Sequence, residues 1–172
     1  MRLVFSLAVI TNKNQRVEDL LKPYIRKLDN EDLEKCIKER KHFISGVLYG
    51  SFDGEYDSKL LLLKNENNQN DLGYSSKIKN VDWLKIVEIE NDILKDEGTY
   101  TENNNVNLEE RFGFTNAIIT PDGSWHGMLP INLIVMGFTK EEPVKEYIKN
   151  YYTKYVKPYK EEGTITMLSC NI

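Results

Sequence analysis

"LVFSLAVIT", residues 3–11, carries the reading of the fold. Its apolar and β-branched residues run almost unbroken rather than alternating. That is the pattern of a strand buried on both faces. "TITMLSCNI", residues 164–172, has the same character. Two such runs at opposite ends of 172 residues predict that both lie in one sheet.

Between them the chain alternates. Val17, Leu20, Leu21, Tyr24, Ile25 and Leu28 fall at helical spacing, and Pro23 predicts a short or kinked helix there. Residues 29–41 read as a polar helix with Leu33, Cys36 and Ile37 on its narrow face. Residues 43–49 read as a strand, and Lys59 to Leu63 as a short one. Asp82 caps a helix through Trp83, Ile86, Ile89 and Ile93. Its acidic end, at Asp92, Asp96 and Glu97, opposes the helix dipole and predicts fraying. Phe112 to Thr120 is a strand, Pro121-Asp122-Gly123 a tight turn, and Ser124 to Met128 the returning strand. Leu133 to Phe138 is a further candidate strand. A helix then starts at a capping box, Thr139 to Glu142. Its stripe is Val144, Ile148, Tyr151, Tyr152, Tyr155 and Tyr159. Adjacent Tyr151 and Tyr152 cannot share one face of an α-helix, so one ring is expected in solvent. Two Asn-rich stretches, residues 65–71 and 101–107, are too polar to bury and are expected to be exposed and mobile.

This order predicts a single α+β domain over residues 1–172. The expected form is one sheet with helices on one face, a ferredoxin-like split β-α-β core, and a long insertion at about 51–110.

Composition narrows the function. The net charge of −4 and a pI near 5.3 argue against a nucleic-acid partner, since such domains usually carry a basic face. No run approaches the ~18 apolar residues of a membrane span, and no A-x-A-like cleavage site follows the first apolar run. Two cysteines distant in sequence, Cys36 and Cys170, fit a reducing, cytoplasmic setting. Phosphate-cradle, H-E-x-x-H, G-x-S-x-G and C-x-x-C motifs are absent. Asp53, Glu55 and Asp57 start like a calcium loop. The sixth and twelfth positions, however, are Ser58 and Lys64, where that loop needs Gly and Glu. No cofactor or metal is expected.

The chemical candidates are few. His126 is one of two histidines, His42 being the other, and Asp122 lies near enough in sequence to orient it. With Arg111 they form the weak catalytic set of a small hydrolase or nucleotide-processing enzyme. Trp125, beside the turn, is expected to cover the core edge, with ligand stacking as its functional alternative. Tyr56 and Tyr74 are further candidates for ligand or partner contact.

"FISGVLYGS", "NAIITPDGSWHG", the Tyr-rich helix ending "KYVKPY" and the terminal "TITMLSCNI" occur in an order that resembles a family of small bacteriophage and prophage proteins. That family shows a Gly-Gly-Arg-Trp-Ser-Gly stretch, a Thr-Pro-Asp-Gly-x-Trp hairpin and a Val-Asp-Cys-His-Ile end. Here the Arg-Trp pair is absent, and the end reads Ser169-Cys170-Asn171-Ile172. The resemblance implies a phage or prophage context rather than a mechanism; within it the leading expectation is an accessory protein acting by non-enzymatic binding of a host protein or small ligand. The insertion is then the expected seat of specificity.

Overall fold

The computed structural model describes residues 4–26, 30–39, 41–48, 74–127 and 141–171. The strands proposed at residues 59–63 and 133–138 lie outside these, as do Tyr56 and the Asn-rich stretch at 65–71.

One mixed sheet organises the chain. β1 (Val4–Thr11) and β6 (Thr164–Asn171) pair antiparallel along their whole length, from Val4↔Asn171 to Thr11↔Thr164. β4 (Ala117–Ile119) pairs parallel to β1, with Leu7 opposite Ala117, and β5 (Trp125–Gly127) returns antiparallel to β4. On the far side of β6 lie β2 (Gly46–Leu48) and β3 (Tyr74–Lys77), end to end. β2 pairs at Ser169 to Asn171 and β3 at Thr164 to Met167. The fold is α+β. A split β-α-β would place a strand between its two parallel strands; here β1 and β4 are hydrogen-bonded neighbours, so the sheet departs from the ferredoxin-like expectation.

The helices are not confined to one face, as the sequence had suggested. Ala8, Ile10, Ile118, Ile165 and Met167 point to one side, where they meet residues of α3 (Trp83–Asp96), α4 (Glu141–Asn150) and the helical segment that follows it. Phe5, Leu7, Val9, Ala117, Ile119, Leu168 and Cys170 point to the other, where Val17 and Leu21 of α1 (Val17–Leu21) join them. Strand side chains alternate with a period of two, so an unbroken apolar strand has two faces to cover.

Local chemistry sets the element ends. α1 stops at Leu21, and Pro23 sits in a 3-10 turn over Lys22–Tyr24. A polar helix, α2, runs over Asn30–Lys38. The Asp82 carboxylate accepts the Lys85 N–H at 3.0 Å and opens α3. The other end of α3, expected to fray, is closed: the N–H groups of Thr99 and Tyr100 both reach the Leu94 carbonyl, at 2.9 and 3.1 Å.

Two strand expectations shorten. The proposed strand over 112–120 pairs only at 117–119, because the Asn116 side chain replaces the next rung. Its Oδ1 accepts from the Ser6 N–H and hydroxyl at 2.9 and 3.0 Å. Phe112 and Phe114 turn inward together, edge-on to Trp83 at 5.9 and 5.7 Å. Of the strand proposed at 43–49, Gly46–Leu48 form β2 and Ile44 makes an isolated parallel bridge to Ile25, while Tyr49 lies outside the described residues.

α4 passes into a π-helical segment, Tyr151–Val156. This corrects the expectation for the tyrosine pair. Tyr151 and Tyr152 are both buried, Tyr151 against Phe112 and Tyr147 and Tyr152 against Trp83. The i→i+5 turn is wider than an α turn, and it brings both rings inward.

Candidate functional site

Two polar neighbourhoods flank the β4–β5 edge of the sheet. The first is the hairpin. Gly123 donates to the Thr120 carbonyl at 2.8 Å and adopts φ +84°, a left-handed conformation that glycine supplies without strain. The Asp122 carboxylate accepts the Ser124 N–H (3.2 Å), the Ser124 hydroxyl (2.9 Å) and the Thr120 hydroxyl (2.5 Å). These hydrogen bonds, first that from Thr120, hold its carboxyl below the usual aspartate range. Outside the turn, the Tyr24 hydroxyl donates to the Gly123 carbonyl, and Gln15 Nε2 to the Pro121 carbonyl at 2.7 Å.

His126 follows from this. Its Nε2 lies 3.1 Å from the Thr120 hydroxyl oxygen. That hydroxyl has one proton, and an ionised Asp122 only accepts, so Thr120 donates to Asp122. Its oxygen must then accept from His126, which fixes the Nε2–H tautomer and leaves the lone pair on Nδ1. The imidazole stacks on Tyr155 at 4.1 Å and 17°. Burial lowers the His126 pKa against an opposing pull from Asp122, so the ring is neutral near pH 7.

Trp125 points to the opposite face. It is 8% exposed and packs against Phe5, Tyr24 and His42. The indole closes the core edge rather than offering a stacking platform. His42 lies over it at 5.2 Å and 20°, with Nδ1 buried and without a hydrogen-bond partner among the described residues. Burial, then the neighbouring His126, lower the His42 pKa.

The second neighbourhood is a cleft of about 240 Å³ lined by Glu90, Val106, Arg111, Gly113, Thr115, Asn116, Tyr147 and Ile148. It is built on a stapled loop. Asn91 on α3 clamps Val106 through both amide atoms, donating to its carbonyl at 2.9 Å and accepting its N–H at 2.7 Å. Asn107 and Arg111 exchange backbone hydrogen bonds at 2.9 and 3.0 Å. The Asn107 side chain accepts the Glu110 N–H at 2.8 Å, and the Phe112 N–H reaches the Ile148 carbonyl of α4 at 3.2 Å. Two asparagines of 101–107, a stretch expected to be a mobile loop, instead fasten it: Asn104 bonds the Thr101 N–H and the Thr99 carbonyl, and Asn107 the Glu110 N–H. Their side chains take the places of backbone partners, as Asn does in turns.

Arg111 is exposed, and its guanidinium forms no ion pair among the described residues. The neutral polar groups are committed inward. Tyr147 donates to the Thr115 carbonyl at 2.7 Å, and the Thr115 hydroxyl pairs with the Ala117 carbonyl and the Tyr151 hydroxyl, each at 2.7 Å.

No family model, curated protein or solved structure matches the chain. The site therefore stands on its own geometry.

That geometry joins Asp122 to His126 through Thr120 and places Arg111 in the separate cleft. Tyr74 opens β3, but its side chain and the whole of Tyr56 lie outside the described residues. The two thiols are buried and free, and burial pushes Cys170 up to about 12, which suppresses thiolate chemistry. The described residues contain no cluster suited to a metal ion and no helix long and apolar enough to cross a membrane. Thr120, Tyr155, Asn91, Glu90 and Asn116 escaped sequence reasoning. Tyr155 was readable as part of the tyrosine stripe and Thr120 as the first residue of the Thr-Pro-Asp-Gly-x-Trp hairpin; the fold alone gives the others their roles.

Proposed function

We propose that this chain is a non-enzymatic binding protein of the phage accessory kind, in a cytoplasmic setting, and that it takes a small ligand in the Arg111 cleft. One observation carries the reading: an exposed guanidinium, free of carboxylate partners among the described residues, is held on a stapled loop at the mouth of a concave, partly apolar site. Guanidinium is suited to planar anions such as carboxylates. A loop fixed before binding has little entropy to lose on binding. Val106 and Glu90 come from the insertion, in keeping with specificity residing there. The phage setting is supported by the resemblance of the hairpin and terminus.

The Asp122–Thr120–His126 relay favours a second reading, a hydrolase in which His126 Nδ1 acts as base. It orients an imidazole as a catalytic base requires, but Arg111 does not share its pocket, and the ring face is covered by Tyr155.

Amide NMR with a panel of small carboxylates separates the two. Binding in the cleft is expected to shift resonances of Gly113, Thr115 and Asn116 and to be lost in Arg111→Ala. A panel that shifts none of these amides would defeat the small-ligand reading.

A further inference from the structure

Asn116 lines the same cleft as Arg111, and the protein itself sets the orientation of its amide. Ser6 of β1 does this. The Ser6 backbone N–H and hydroxyl lie 2.9 and 3.0 Å from one amide atom. A backbone N–H can only donate, so that atom is the oxygen, Oδ1. The Asn116 backbone N–H in turn donates to the Ser6 hydroxyl oxygen at 3.0 Å, which locks the pair. Both lone pairs of Oδ1 are then spent, and the Nδ2 protons of this half-buried side chain have no acceptor among the described residues. Resting on the small-ligand reading, we propose that Asn116 Nδ2 is the second donor of the cleft, and that the ligand is a monocarboxylate with a short apolar tail.

A carboxylate carries two coplanar oxygens and no donor. The guanidinium and the amide N–H groups offer donors and, with Oδ1 spent, no acceptor. A primary amide of the same shape carries no charge for Arg111 and turns N–H groups of its own toward these donors, which leaves both sides unpaired. Glu90, the other charged residue of the lining, already interacts within the protein and is not a ligand group here. Val106, Ile148 and the Tyr147 ring supply an apolar wall for the tail. The volume of about 240 Å³ falls below the ~300–1,000 Å³ of pockets for drug-sized ligands, so the tail is short and a nucleotide is too large.

The test is calorimetric titration with three probes: 4-methylpentanoate, its neutral isostere 4-methylpentanamide, and acetate, which lacks the tail. Wild type is expected to bind 4-methylpentanoate about tenfold or more tightly than either of the others, since a lost charge-assisted contact or an uncovered apolar wall is each worth roughly a factor of ten. Asn116→Asp is the decisive variant. It keeps an oxygen for Ser6 and turns the Nδ2 donor into an acceptor. Its affinity for 4-methylpentanoate should fall about tenfold or more, and its affinity for 4-methylpentanamide should hold or rise. Backbone amide spectra establish that the variant is folded. In wild type, with no substitution, the Asn116 Nδ2 side-chain resonances should shift on titration with 4-methylpentanoate. If 4-methylpentanamide equals 4-methylpentanoate in wild type, or acetate does, the tailed carboxylate is wrong while the small-ligand cleft survives. If folded Asn116→Asp keeps the wild-type preference, or the Nδ2 resonances stay fixed at saturation, Asn116 is not the second donor. If none of the three probes binds, the small-ligand reading fails with it.

Discussion

The hairpin at residues 120–127 and the loop at residues 106–116 both bring polar side chains to the same edge of the sheet, and they use them in opposite ways. In the hairpin the polar groups, His126 Nδ1 excepted, are turned on neighbours: Asp122 takes three hydrogen bonds, Thr120 links it to His126, and Tyr24 and Gln15 tie down the backbone of the turn. In the loop, Asn107 is spent on the backbone, Asn91 of α3 clamps Val106, and Arg111 is left facing solvent. A group whose hydrogen bonds are satisfied internally gains little from a ligand. A cation held in place without a partner gains a great deal. The motif-bearing segment is thus the structural one, and the segment without a motif is better suited to binding.

The largest expected effect breaks the hairpin side. Trp125→Ala removes a buried indole that contacts Phe5, Tyr24 and His42, and should cost ~4 kcal/mol. An unshifted denaturant midpoint would show that the indole does not hold the edge of the core. Gly127→Ala comes next, at ~3 kcal/mol. Gly127 has φ +110°, and an added Cβ would lie 2.7 Å from the Asn116 carbonyl oxygen and 2.9 Å from the Tyr147 ring. Thermal unfolding measures this, and a wild-type melting temperature would mean that the strand can move away from Tyr147.

On the loop side, Asn91→Ala removes two hydrogen bonds to Val106 and should cost ~2 kcal/mol in global stability. Faster hydrogen exchange confined to residues 104–111 is the accompanying signature. Uniform exchange across the chain would show that the clamp does not hold this loop.

The smallest effect is a pH dependence. His42 and His126 both have pKa values lowered in the folded state, chiefly by burial. The unfolded chain, with histidine near ~6.5, therefore binds protons that the folded chain refuses. Their contribution is fully present above pH ~6.5 and is lost as pH falls from there through the folded values. Denaturation midpoints between pH 7 and 5 should fall more steeply for wild type than for His42→Phe. Equal slopes would place the acid sensitivity elsewhere.

The sequence revealed the sheet better than the site. The two long apolar runs identified β1 and β6, and the Pro-Asp-Gly turn identified the hairpin, because burial on two faces and tight turns both leave a local compositional mark. Coverage of both faces was implicit in the unbroken pattern of residues 3–11. The direct β1–β4 pairing was not, since register between distant segments has no local signal. The cleft was illegible for the same reason. Glu90, Arg111, Asn116 and Tyr147 come from three places in the chain, α3, the loop at 106–116 and α4, and nothing about any one of them names the others. Asn104 and Asn107 misled because polarity alone does not distinguish a free loop from one fastened by its own side chains.

The claim that binding resides at Arg111 and not at His126 is tested most directly by one amide NMR titration with a panel of small carboxylates on three proteins. Wild type and His126→Ala should show the same saturable shifts, centred on Gly113, Thr115, Asn116 and Ile148, and Arg111→Ala should show none. Shifts centred on residues 120–127, or shifts that persist in Arg111→Ala and vanish in His126→Ala, would contradict the account and place the function in the hairpin.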